Sequence, residues 1–151
     1  MEEMKPVVFK LGNELYGVDI NLVQGIEREQ QVVRVPNTVS YIKGIINLRG
    51  EIIPVYDLKE KFQMKHDSEE ESQYVIVKVK NSKLALEVDG VKEIHDISSE
   101  DLFRVPPIIC NSELSYFNKV IKSDNSLIIL IQVDNLLSDE EIARIDEIVN
   151  Q

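Results

Sequence analysis

The sequence predicts an all-β fold of two barrel-like halves related by an internal repeat, with one C-terminal α-helix. Three observations support this. Short runs of alternating apolar residues are separated by turn residues, segments of the first half recur in the same order in the second, and helical periodicity is firm only near the C-terminus. With 151 residues the chain is long enough for one domain or two small ones.

Strand signals dominate the chain. Alternating apolar residues mark strands at 7–11, 75–79 and 84–88, and a period of two places one set of side chains inward and the other outward. Segments 52–56 and 127–131 are apolar on both faces, which is typical of strands at the centre of a core. Turn residues separate these runs at Gly12-Asn13, Asn81-Ser82, Asp89-Gly90 and Asp124-Asn125. Pro54 has no N–H to donate, so we expect it at a sheet edge or a bulge.

Helical signals are fewer. Ser138 and Glu141 form a capping box, and apolar residues then recur at helical spacing, which predicts a helix over 139–150. One or two short helical turns are expected, at 57–62 and 20–23. Residues 63–72 are almost entirely polar and charged, so we expect a mobile loop between the two halves.

The repeat sets the predicted domain organisation. The matched segments are Val18-Asp19 with Val88-Asp89, Arg34-Val35-Pro36 with Arg104-Val105-Pro106, 41–46 with 116–121, and 52–58 with 128–134. Chance similarity between two β-rich segments is the alternative, and several matches in one order count against it. We expect a single domain over 1–151. Its first barrel covers about 14–62, and its second covers about 74–137 together with an N-terminal strand at 6–11. The seam between the halves is then a natural binding groove.

Charge and composition exclude several classes of function. The net charge is −10 and the pI is about 4.7, whereas phosphate backbones and anionic lipids attract basic chains. Nucleic acid and direct membrane contact are therefore poor candidates. No export signal or long apolar segment is evident, so we expect a cytoplasmic protein.

No constellation of residues indicates catalysis. His66 and His95 are isolated in sequence, and Cys110 lies among isoleucines, where a packing role is the better interpretation. Metal-ligand spacings and phosphate-binding glycine motifs are absent from the sequence. We therefore expect a protein that is not an enzyme and has no metal and no cofactor.

One connection stands out. Asn47-Leu48-Arg49-Gly50 lies between two apolar runs, and Gly50 can take the positive φ that a tight hairpin turn needs. The turn would present Arg49, whose planar guanidinium suits a carboxylate. A solvated turn arginine is the alternative. The corresponding connection at 122–125 has no arginine, so the two turns have diverged.

These segments resemble the CheW-like domain family over about residues 6–145. The motifs that carry the resemblance are Tyr16-Gly17-Val18-Asp19-Ile20, Val23-Gln24-Gly25-Ile26, Tyr41-Ile42-Lys43-Gly44, Asn47-Leu48-Arg49-Gly50, Ile53-Pro54-Val55-Tyr56-Asp57-Leu58 and Val88-Asp89-Gly90-Val91. The resemblance implies two intertwined SH3-like five-stranded barrels. It also implies a non-enzymatic adaptor that couples chemoreceptors to the histidine kinase CheA and is recruited to membrane-bound receptor arrays.

The resemblance further implies two sets of contact residues. The receptor's cytoplasmic tip would lie in the groove between the halves, against Val23, Ile26, Arg49, Tyr74, Val91 and Ile94. The regulatory domain of the kinase would contact the barrel ends, with Lys43, Gly44, Pro106, Pro107 and Ile108 as candidates. Some relatives carry a glutamate at the position of Gly25, placed to pair with the hairpin arginine. Here Glu27 or Glu51 substitutes for it, or Arg49 is unpaired and open to an acidic receptor residue.

Other classes stay open at this point. A fragment of the kinase itself is disfavoured, because the chain has no room for an ATP-binding domain or a phosphorylatable histidine domain. A small β-barrel module that binds oligonucleotides or another ligand is the alternative from a different class. The acidic charge and the small number of aromatic residues count against it.

Overall fold

Thirteen β-strands lie in the part of the chain that the computed structural model describes, which is residues 3–36, 39–64, 71–94, 97–104, 119–123 and 126–149. They are β1 (Glu3–Met4), β2 (Pro6–Leu11), β3 (Glu14–Asp19), β4 (Val23–Arg28), β5 (Ile42–Leu48), β6 (Glu51–Asp57), β7 (Gln73–Val79), β8 (Ser82–Val88), β9 (Gly90–Ile94), β10 (Ile97–Ser98), β11 (Leu102–Arg104), β12 (Lys119–Ser123) and β13 (Ser126–Leu130). The helices are α1 (Leu58–Lys61) and α2 (Asp139–Val149), with short 3-10 turns at Ile20–Leu22, Ser99–Asp101 and Val133–Asn135. The mainly β fold class is confirmed.

Most strands belong to two sheets with matching orders. One sheet has the order β4-β7-β8-β6-β5, and the other has the order β9-β2-β3-β13-β12-β11. In each sheet an edge strand, β4 or β9, pairs with an antiparallel hairpin, β7–β8 or β2–β3. The second strand of that hairpin pairs in parallel with one strand of another hairpin, β6–β5 or β13–β12. β1 and β10 form a separate two-stranded ribbon. The same topology therefore occurs twice.

The halves are intertwined, and this changes the predicted division of strands. We expected Glu14–Asp19 in the first barrel, but β3 lies in the six-stranded sheet. We expected the hairpin of β7 and β8 in the second barrel, but it completes the five-stranded sheet. The strand at 6–11 does join the sheet of β12 and β13 as expected. The hairpins are local, but the partners that they pair with lie far away in sequence.

Three apolar clusters explain this arrangement. One contains only residues of the five-stranded sheet, including Ile46, Ile53 and Tyr74, and a second contains only residues of the six-stranded sheet, such as Ile121 and Ile128. The largest cluster lies between the sheets and draws on both of them. Strand β7 contributes to the clusters on both of its faces. The expectation that one face of 75–79 points outward is therefore wrong for most of this strand.

The segments expected at the centre of the core begin at the surface. Ile52 and Leu127 are exposed, and burial starts at the next residue, Ile53 in β6 and Ile128 in β13. Pro54 lies opposite Ile45 in an inner strand and not at an edge. Pairing of β6 with β8 begins at Val55, so the missing N–H of Pro54 interrupts no bond of that ladder.

Side-chain hydrogen bonds at the N-termini define where the helices begin. Asp57 accepts a hydrogen bond from the Glu60 N–H and begins α1, and Asp19 caps the 3-10 turn that follows β3. The predicted capping box is confirmed, since Ser138 and Glu141 exchange hydrogen bonds of 3.0 and 3.1 Å. The second carboxylate oxygen of Glu141 accepts from the Tyr41 hydroxyl and ties α2 to the first half.

Residues 65–70 of the predicted mobile loop lie outside the described residues. Met64 is described and packs against the central cluster. Of the helices among the described residues, none is long and apolar enough to cross a membrane.

Candidate functional site

At the seam between the sheets the edge strand β9 meets β7, the strand that pairs with the edge strand β4. β4 pairs with β7, and Gln73, the first residue of β7, lies opposite Arg28. The Gln73 side chain accepts a hydrogen bond of 2.8 Å from the backbone N–H of Val91 in β9. Val23 of β4 and Val91 both pack against the central cluster. We call this region the seam surface and define it as Val23, Ile26, Glu27, Arg49, Gln73 and Val91.

The hairpin that carries Arg49 has a two-residue turn. Arg49 and Gly50 have φ of 53° and 87°, and the Asn47 side chain accepts from the Gly50 N–H at 3.0 Å. Two successive positive φ values match the twist of the flanking strands β5 and β6. The positive φ expected at Gly50 is confirmed. The same conformation at Arg49 was not anticipated, and it fixes the direction of the side chain.

Arg49 is paired with Glu27. The guanidinium lies 3.0 Å from Glu27 Oε1, with 79% of the Arg49 side chain exposed and 19% of the Glu27 side chain. Glu51, the other candidate, pairs instead with Lys83 at 3.0 Å. The Glu27 carboxylate also lies beside Gly25, 3.9 Å from where a Cβ would stand. Glu27 therefore supplies the carboxylate that Gly25 lacks, from two residues further along β4.

The other predicted receptor contacts differ in exposure. Ile26 is 38% exposed, while Val23 and Val91 are half-buried. The backbone of Ile94 pairs with Val7 in β2. Val23 and Ile26 lie on the edge strand β4, and Val91 and Ile94 lie on the edge strand β9.

Tyr74 does not contribute to the seam surface. It is 0% exposed, packs inside the five-stranded sheet, and its hydroxyl donates to the Gln30 carbonyl at 3.4 Å. Burial, reinforced by the negative charge of Glu87, raises the pKa of Tyr74 to about 12. A side chain buried this completely in the free chain cannot act as a surface anchor, so the structure assigns Tyr74 to the core.

The predicted kinase contacts lie on β5, the opposite edge of the five-stranded sheet. Lys43 is exposed and pairs with Glu87 of β8 at 3.0 Å. Gly44 is buried, because Val33 pairs with Ile45 through hydrogen bonds of 2.8 and 2.9 Å and covers it. Of these two residues, Lys43 alone offers a side chain to a partner. The remaining candidates, Pro106, Pro107 and Ile108, lie outside the described residues.

The environment of Glu87 predicts a pH dependence. Burial raises the pKa of the Glu87 carboxyl above 4.5, and the Lys43 hydrogen bond and charge act in the opposite direction. The folded chain thus binds a proton that the unfolded chain has already lost, so stability falls as the pH rises from about 4.5 through the raised pKa. We expect Glu87→Gln to remove this fall. Urea midpoints between about pH 4 and pH 7 test it, and parallel curves for the two proteins would contradict it.

A buried ion pair joins the halves beside the seam. Lys59 Nζ of α1 lies 2.7 Å from Asp89 Oδ2, and each side chain is 7% exposed. Asp89 Oδ2 also accepts from the Gly12 N–H of the β2–β3 turn at 2.6 Å. Asp89 comes directly before β9, so this pair fixes the point at which that strand begins.

Sequence reasoning missed Gln73 and the Lys59–Asp89 pair. The sequence does contain a signal for Asp89, because Val88-Asp89 matches Val18-Asp19 in the internal repeat. The sequence contains no signal for Gln73, because a glutamine at the start of a strand is common and does not indicate a specific hydrogen bond. Among the described residues, no group of three or more histidine, cysteine, aspartate or glutamate side chains could hold a metal ion.

The chain is similar to known proteins both in sequence and in structure. A sequence model described as the CheW-like domain matches residues 5–141. The chain is 36% identical to the "Chemotaxis protein CheW" of Klebsiella aerogenes over 94% of this chain and 86% of that protein. It is 32% identical to the protein of the same name from Treponema pallidum, over 95% and 88%. The crystal structure of "scaffolding protein TtCheW" from Thermoanaerobacter tengcongensis matches with a TM-score of 0.83 at 34% identity, over 93% and 92%. The chain therefore belongs to the CheW-like domain family.

Proposed function

We propose that this protein is a chemotaxis adaptor that couples the cytoplasmic tips of chemoreceptors to the histidine kinase CheA. A role as a chemotaxis scaffold follows from its family and from the relatives that match nearly its whole length. The observation that carries the specific proposal is the seam surface, where β9 is hydrogen-bonded to β7 and Arg49 is paired with Glu27 of the adjacent strand β4. The protein acts without catalysis or a cofactor, in the cytoplasm, and is recruited to receptor arrays at the membrane.

The seam surface suits an amphipathic helical partner. Ile26 supplies exposed apolar area, Val23 and Val91 are half-buried against the central cluster, and Arg49 offers a planar donor. Most of the Arg49 side chain is in solvent although it is paired, so an acidic or amide group of a receptor can reach the guanidinium. The receptor tip is the partner that we assign to this surface.

The kinase contact is proposed at the ends of the halves. Lys43 on the edge strand β5 is the described candidate, and each half is proposed to close as an SH3-like barrel. In support, the order of five strands is the same in both sheets and each sheet encloses an apolar cluster of its own.

Calorimetry with purified partners tests the adaptor. We expect binding both to a kinase regulatory domain and to a receptor cytoplasmic hairpin, each at its own site, so that saturation with one partner leaves the other free to bind. Absence of binding to both would overturn the proposal. Competition between them for one site would contradict the separate surfaces.

Arg49→Ala tests the receptor side. We expect weaker binding of the receptor hairpin with stability changed by less than about 0.5 kcal/mol, because the pair with Glu27 is largely exposed. Titration of the receptor hairpin and thermal unfolding measure the two effects. Lys83→Ala breaks the exposed pair with Glu51 and is the matched control, expected to leave receptor binding unchanged. A large fall in melting temperature for Arg49→Ala would show a structural arginine instead.

A further inference from the structure

Among the described strands β9 lies at the edge of its sheet, and a side chain of β7 binds its backbone. β9 is the terminal strand of its sheet, and the Val91 N–H donates to Gln73 Oε1 at 2.8 Å. Val91 is opposite Phe9 in β2, yet its N–H bond goes to β7 of the other sheet. Gln73 therefore supplies the acceptor that an edge strand would otherwise find in water.

Gln73 also lies next to the strand that holds the Arg49 pair. It is opposite Arg28 of β4, and the adjacent Tyr74 is opposite Glu27. Glu27 pairs with Arg49. The Arg49–Glu27 pair and the Gln73–Val91 hydrogen bond thus involve neighbouring positions of the paired strands β4 and β7.

The start of β9 is consequently fixed at two points two residues apart. Asp89 is held by Lys59 and by the Gly12 N–H, and Val91 is held by Gln73. The first point is a buried ion pair inside the fold, whereas Gln73 is only half-buried and acts at the surface itself. Gln73 is therefore the group through which the position of β9 can be changed without opening the core.

We infer that Gln73 is a positioning residue for the receptor contact, holding Val91 of β9 against β7 so that the seam surface is formed before a partner arrives. This inference rests on the proposed function of the seam surface. A surface that is already ordered loses less conformational entropy on binding, so the contribution of Gln73 appears as affinity for the helical partner. Gln73 need not touch the partner to have this effect.

The test compares Gln73→Leu with Gln73→Glu in the full chain. Leucine removes the acceptor, and glutamate keeps an acceptor oxygen at the same reach. We expect Gln73→Leu to bind a receptor hairpin about tenfold more weakly, with kinase-domain affinity unchanged within about twofold, and Gln73→Glu to restore most of the loss. Gln132→Leu is the matched control, because Gln132 makes no capping hydrogen bond through its side chain.

Amide hydrogen exchange at Val91 gives a readout that does not depend on any partner. We expect about tenfold faster exchange in Gln73→Leu than in the wild type or Gln73→Glu. Unchanged receptor affinity in Gln73→Leu, or an equal loss of affinity for both partners, would overturn the inference. If the wild type binds no receptor hairpin, the proposed function fails and so does the purpose assigned to Gln73. The exchange data would still show whether Gln73 holds β9.

Discussion

Asp89→Ala is expected to destabilise the protein by about 3–5 kcal/mol, one of the largest effects of any single change in the described residues. The substitution leaves the Lys59 ammonium buried without its carboxylate, and it removes the acceptor of the Gly12 N–H. Chemical denaturation gives the free energy of unfolding directly. The loss should appear with no partner present, because the pair is internal to the chain.

Two further variants separate the effect of burial on this ion pair from the effect of its charge. Glu51→Ala breaks an ion pair of similar length whose side chains are 37% and 53% exposed, so we expect a change of less than about 1 kcal/mol. The double variant Lys59→Met/Asp89→Asn removes both charges and keeps an acceptor for Gly12, so it should be more stable than Asp89→Ala. If Asp89→Ala cost no more than Glu51→Ala, the buried pair would contribute little to the fold.

Gly44→Ala is expected to destabilise the protein by about 2–4 kcal/mol, within the upper range of overpacking effects. A Cβ at this position would lie 2.2 Å from the Val33 carbonyl oxygen and 2.7 Å from a Val32 methyl. The carbonyl belongs to backbone that is hydrogen-bonded to Ile45, so it cannot simply rotate away. Thermal and urea unfolding of the variant measure the loss.

Gly50→Ala is the matched control for Gly44→Ala. Gly50 has φ of +87° but open space around it, so the added methyl costs only backbone strain of about 1 kcal/mol. Equal losses for the two variants would contradict the close approach of Val33 to Gly44. The comparison also bears on the kinase side, since weaker kinase binding by Gly44→Ala would then reflect displacement of the 32–33 segment that covers β5.

Local chemistry made much of the fold predictable from the sequence. The Asn47–Gly50 turn, the Ser138 capping box and the turn after Asp57 all depend on residues within a few positions of each other, and all appear in the structure. The repeat predicted a doubled architecture for the same reason. Each copy carries its own pattern of strands and turns.

The errors come from contacts between distant residues. Nothing within residues 73–88 shows that this hairpin pairs with β4 and β6 and not with the strands that follow it. The burial of Tyr74 has the same origin, because β7 lies between two apolar clusters and its second face is covered by residues far away in sequence. The choice of Glu27 over Glu51 as the partner of Arg49 also required the strand register.

The intertwined sheets have a consequence for folding. The topology is the one that two half-length chains would form as a symmetric dimer in which each copy lends its first hairpin to the other. A half-length chain would have no complete sheet of its own, so its folding would depend on its concentration. In the single polypeptide the same association is intramolecular. The two copies also need not be identical: Arg49 lies in the turn of one, whereas the connection at 122–125 of the other has no arginine.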